Sequence, residues 1–203
     1  GAFCRDFYSR VRILFVTAYV LRMIDRIRLR KIGNFEYLNP RPILVALREL
    51  EYEVAASSLP HNVKTLRKNT LRRECENRDA VIFAHATSQW LGIPVLVALE
   101  EDEDFDFVLH WQVDDMNHFC CVQHKEVVPE SLNPTASVQG IVEALRGYAD
   151  LSDTTVAIKL NRVGRFDPAS VKVPDDVKVR DIWIYGALNP EQSEWAMWGN
   201  FAA

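Results

Sequence analysis

At 203 residues, 48% hydrophobic and 26% charged, the chain has the make-up of one large globular domain, or of a domain with extensions, which excludes a disordered or fibrous class. The net charge of −4 excludes a uniformly basic binder, but the charge is uneven: Arg5, Arg10, Arg12, Arg22, Arg26, Arg28, Arg30 and Lys31 crowd the first 35 residues, while EEDEDFD at 100–106 holds six acids. Cys4, Cys75, Cys120 and Cys121 form neither a CxxC nor a His/Cys ligand set, which excludes a disulfide scaffold and suits a reducing, cytoplasmic setting.

The apolar run ILFVTAYVL at 13–21 is too short to span a membrane, and no small-x-small site closes it, so a buried helix or strand is expected there and no membrane partner. Residues 1–60 read as a basic, mainly helical N-terminal extension. Within it, Pro42 suits a first helical turn and ILVALRELEYEV an amphipathic helix over about 42–54. Residues 61–203 read as an α/β domain. A helical stretch at 62–92 carries Lys64, Arg67, Lys68, Arg72 and Arg73 and stops at Gly92. IPVLVAL at 93–99 is an apolar strand. FDFVLHW at 105–111 and HFCCVQHKEVV at 118–128 are strands joined by QVDDMN, most simply a hairpin.

Further along, a helix at 136–149 has Val138, Ile141, Val142 and Leu145 as its stripe. SDTTVAIKLN at 152–161 and RDIWIYGA at 180–187 are strands. EQSEWAMWGNF, with Trp195 and Trp198 at helical spacing, reads as a short terminal helix. The expected architecture is a central mixed sheet of four to five strands flanked by helices. No Gly-rich phosphate loop or nucleophile elbow occurs, and His85, His110, His118 and His124 are candidate zinc ligands whose spacing fits no compact pattern.

One constellation carries chemistry. The period-two rule places Asp106, Val108 and His110 on one face of their strand, and Gln123 and Lys125 on one face of the next. A hairpin spanning the seventeen positions from Asp106 to Gln123 brings these faces together. The carboxylate of Asp106 is a ligand for Mg²⁺ or Mn²⁺, since hard cations prefer oxygen, and the Gln123 amide oxygen and a backbone carbonyl near His124 are further donors. Lys125 would stand beside the scissile phosphate and offset its developing charge. An acid from the preceding helix would complete the set, Glu76 being preferred to Glu74. His124 and Glu126 point to the opposite face. Lys159, Arg162 and Arg165, where the strand at 152–161 ends, are candidate contacts to backbone phosphate or else a solvated strand end.

These residues resemble the PD-(D/E)xK nuclease superfamily, the restriction-endonuclease-like fold, whose core runs α-β-β-β-α-β. The elements over residues 62–161 follow that order. Asp106 matches the first motif acid, and Gln123-His124-Lys125 matches the second motif in its Gln-x-Lys form. Phe105 stands where the family has proline, and glutamine stands where it usually has a carboxylate. The resemblance implies metal-dependent hydrolysis of phosphodiesters, with Asp106, Gln123 and Glu76 at the metal and Lys125 at the phosphate. It equally admits a nuclease-like domain that binds nucleic acid or protein without cutting. DNA is the expected partner, and a homodimer is a geometric option for cutting two strands.

Overall fold

The computed structural model describes residues 26–64, 71–148 and 151–202. The run at 13–21, most of the N-terminal arginines, and Arg67 and Lys68 lie outside the described residues. The chain divides into two compact units, Gly1–Gly33 and Asn34–Ala203. Within the first, helix α1 spans Arg26–Ile32. All other described elements belong to the second, so the helix expected in the N-terminal extension shares a unit with the sheet.

That helix, α2, spans Pro40–Ala56. Asn39 caps its start by accepting from the Arg41 N–H at 3.0 Å, and proline at the first turn surrenders an N–H that has no partner there in any case. At its far end, Lys64 from the short helix α3 (His61–Lys64) donates to the carbonyls of Ala55 at 2.8 Å and Ser57 at 2.6 Å. Lys64 is therefore committed to orphan carbonyls at a helix C-terminus. Helix α4 runs Arg72–Leu91 and stops at Gly92, whose φ of 69° is the left-handed conformation that glycine adopts without penalty.

Six strands follow: β1 (Leu96–Ala98), β2 (Phe107–Val113), β3 (Met116–Val127), β4 (Leu151–Leu160), β5 (Val179–Ala187) and β6 (Trp195–Trp198). They lie side by side in chain order. The first three pair antiparallel. Helix α5 (Val138–Ala144), ending in a tight turn at Leu145–Gly147, crosses over to make β3 and β4 parallel; β4 and β5 are also parallel, and β5 and β6 antiparallel. The sheet is therefore mixed. A two-residue turn, Asp114-Asp115 with φ of 48° and 61°, closes the β2–β3 hairpin, the doubly positive pattern that matches strand twist.

Alternation along the strands builds two cores. On one face Phe107, Leu109, Cys120, Val122, Ala157 and Tyr185 pack with Ala80, Phe83 and Ala84 of α4. On the other, Val127, Val156, Ile158, Ile182 and Ile184 pack with Val142 of α5 and Leu145. The expected terminal helix is strand β6 instead. Pairing of Trp195 with Ala187 and Trp198 with Ile184 overrides the helical spacing, and sends Trp195 and Met197 to the α4 face and Trp198 to the other. Among the described residues no helix is long and apolar enough to cross a membrane.

Candidate functional site

The register of the hairpin decides what Asp106 can reach. Phe107 is paired with Val122 and Val108 with Cys121, and the Asp106 N–H donates to the Val122 carbonyl at 2.8 Å. Asp106 thus stands across from Gln123 just outside the last ladder pair. The Gln123 Nε2 donates to Asp106 Oδ2 at 2.6 Å, and the backbone N–H of His124 donates to the same oxygen at 2.6 Å. The carboxylate thereby serves a strand amide where β2 ends, and a charged acceptor makes both bonds stronger than neutral ones. No hydrogen bond from a described residue reaches Asp106 Oδ1.

Lys125 lies two residues further along the same face of β3. Its Nζ sits 4.9 Å from the ring centroid of Tyr148, at the end of the turn that follows α5. The ammonium is held over an exposed aromatic ring, not against Asp106. Glu76 does not join Asp106 either: its Oε1 accepts from Arg72 Nε at 2.7 Å, one helical turn back along α4. Hydrogen bonding and charge from Glu76 hold the Arg72 guanidinium still more firmly protonated, and Asp106 and Glu101 add to that pull. Glu74 is exposed.

The phosphate contacts expected after β4 divide. Lys159 is not at the surface. It is 2% exposed, and its Nζ lies 2.6 Å from Oδ1 of Asp79, itself 2% exposed. An ammonium buried in this way is held by its counter-ion and does not reach a solvent-borne phosphate, which corrects that assignment. Arg162 donates to the carbonyls of Asn133 and Pro134 and ties the end of β4 to the loop before α5. Arg165 is exposed.

The group that the sequence did not assemble lies beneath α4. Asp79 there faces His124, Lys159 and Tyr185 from three neighbouring strands. His124 Nε2 is 2.9 Å from Tyr185 Oη and 3.9 Å from Asp79 Oδ2, and Tyr185 Oη donates to the Asp79 carbonyl at 3.5 Å. At the rim, Arg78 Nε is 3.7 Å from Asp79 Oδ1, and Asn161 donates to Glu126 at 2.6 Å. Burial pushes the His124 pKa down and the Tyr185 pKa up, so the imidazole is neutral and the phenol protonated. Burial, then the charge of Asp79, also pushes the Cys75 thiol up, away from a reactive thiolate. The available signal was a lysine inside the apolar strand VAIKL and an aspartate inside the apolar stretch DAVIFA. Each needs a counter-charge when buried.

Three of the candidate zinc ligands have other partners. His110 stacks on Phe119 and pairs with Asn117, His118 stacks on Trp111, and His124 is in the buried set. Among the described residues no group of three or more His, Cys, Asp or Glu side chains is disposed to hold a metal ion. At Asp106 stand one carboxylate and two N–H groups that donate to it, from the Gln123 amide and the His124 peptide. That set is thin for calcium or zinc. A Mg²⁺ ion commonly keeps several waters and is held by one or two carboxylates together with a substrate phosphate. No protein-family model, curated protein or solved structure matches the chain.

Proposed function

We propose that the chain is a PD-(D/E)xK-type domain that hydrolyses phosphodiester bonds of DNA with Mg²⁺ or Mn²⁺. The observation that carries this reading is the direct contact of Asp106 with Gln123 at the point where β2 ends, with Lys125 on the same strand face. The order α4-β1-β2-β3-α5-β4, with β3 and β4 parallel, supports it as the restriction-endonuclease-like order of elements. Asp106 would hold the cation through its carboxylate, and the Gln123 amide, turned over, offers Oε1 as a second donor. When bound, the cation supplies a water of lowered pKa and polarises the phosphoryl oxygen. Lys125, released from Tyr148, places its ammonium on the phosphate and offsets charge that grows in the transition state. With glutamine in place of a second carboxylate at position 123, cation affinity depends on the substrate phosphate, so metal and nucleic acid bind together.

A second reading is a nuclease-like module that binds nucleic acid or protein without cutting it. It is favoured by Gln123 in place of a carboxylate and by the engagement of Glu76 with Arg72, which keeps that acid from Asp106. Incubation of supercoiled DNA, single-stranded DNA and RNA with Mg²⁺ or Mn²⁺ separates the two. Cleavage lost in both Asp106→Ala and Lys125→Ala supports hydrolysis. Salt-sensitive binding with no cleavage at any metal concentration replaces hydrolysis with the module.

A further inference from the structure

His124 is gripped on two sides. Its peptide N–H holds Asp106 Oδ2 at 2.6 Å, while its imidazole enters the α4-side core and meets Tyr185 Oη at 2.9 Å. Tyr185 of β5 and Asp79 of α4 approach that ring, and Lys159 of β4 holds Asp79 in turn. Lys159 is itself paired across the strands with both Glu126 and Tyr185. A buried polar set of this kind has few alternative arrangements, because each member that moves leaves a partner unsatisfied.

We infer that His124 is a positioning residue: the buried Asp79–Lys159–Tyr185 set fixes its ring, and its peptide N–H in turn fixes the rotation of the Asp106 carboxylate. With the His124 N–H on Oδ2 whichever way the Gln123 amide faces, Oδ1 is the oxygen left for an incoming cation or phosphate-bound water. The consequence for catalysis rests on the nuclease reading, whereas the positioning of Asp106 does not. The network therefore acts through the sheet, from the face under α4 to the face that carries Asp106, Gln123 and Lys125. The groups that face His124 are Asp79, Lys159 and Tyr185, with Asp106 and Glu126 close enough to act on its charge.

The test uses Tyr185→Phe, which removes one hydroxyl and keeps the ring, and His124→Gln as a companion. Ile184→Val, in the opposite core, serves as a control for simple loss of packing. Two quantities are measured on the whole chain: the amide proton shift of residue 124 by NMR, and the Mg²⁺ concentration for half-maximal DNA cleavage. The expected result in Tyr185→Phe and His124→Gln is an upfield move of that amide. The Mg²⁺ requirement rises roughly tenfold, as for other residues that orient a ligand from behind, while Ile184→Val leaves both as in the wild type. A lowered melting temperature in Tyr185→Phe and His124→Gln with an unmoved amide and unchanged Mg²⁺ dependence overturns the inference. If the wild type cleaves nothing, the nuclease reading fails by itself, and the amide shift alone decides whether the network positions Asp106.

Discussion

The ammonium of Lys159 lies 2.6 Å from Oδ1 of Asp79, with both side chains almost fully out of solvent. Desolvating two charges offsets most of their attraction, so the pair contributes little over two well-packed apolar residues. Breaking it is another matter. Asp79→Ala leaves a buried ammonium without its carboxylate and is expected to cost about 3–5 kcal/mol. The joint change Asp79→Leu with Lys159→Met is expected to stay far closer to wild type. Urea unfolding of the wild type and the two variants gives the comparison. A loss under about 1 kcal/mol in Asp79→Ala would mean that the lysine finds another acceptor.

Gln123→Glu tests what the Asp106–Gln123 contact is for. In the wild type the amide donates to the carboxylate at 2.6 Å. A glutamate there sets two carboxylates within hydrogen-bond reach, and like charges so close favour a shared proton or a bound cation. The metal-free variant is expected to be less stable by about 1–3 kcal/mol, the cost of losing a charge-assisted hydrogen bond. Mg²⁺ is expected to raise its melting temperature more than that of the wild type, because a ligand that binds only the folded state stabilises it. Equal responses, or none in either protein, would remove the cation from the site.

The contact of Asp106 with Gln123 was legible in the sequence because it needs only two local rules, side-chain alternation and a short hairpin. The burial of Lys159 was not. It follows from the parallel register that places Lys159 beside Glu126 and Tyr185, and from an aspartate eighty positions earlier on α4. No local pattern encodes which helix residue lies over which strand residue. Glu76 failed to reach Asp106 for a local reason that spacing does reveal: Arg72 stands one turn before it, at the separation that lets two helical side chains meet. Trp195 and Trp198 misled in the other direction, since their spacing fits a helix and only the partner strand β5 makes them a strand.

Lys125 and Tyr148 give a test in binding. A cation over an exposed ring is worth about 0.5–1 kcal/mol, less than the attraction of a nucleic-acid backbone summed over its phosphates. Tyr148→Ala is therefore expected to leave stability within about 1 kcal/mol of wild type and the salt dependence of DNA binding unchanged. Lys125→Ala is expected to reduce the slope of log affinity against log salt by about one. Fluorescence anisotropy over a salt series measures both. An unchanged slope in Lys125→Ala would take the lysine off the phosphate and leave it as a partner of Tyr148.

Acid should weaken the fold through His124. Burial holds its imidazole below the ordinary value of 6.5; the Asp79 charge pulls the other way without prevailing, and Lys159 adds to the lowering. The folded state therefore gives up the proton more readily than the unfolded chain, which binds more protons in mildly acidic solution. Stability then rises with pH. The contribution is fully present above the unfolded value of about 6.5 and is lost as pH falls through it toward the lower folded value. His124→Gln removes this dependence while carboxylates elsewhere keep theirs. Urea midpoints at pH 7.5 and pH 5 are expected to differ less in His124→Gln than in the wild type. The same difference in both proteins would show that water reaches the imidazole and that the ring is not sealed beneath α4.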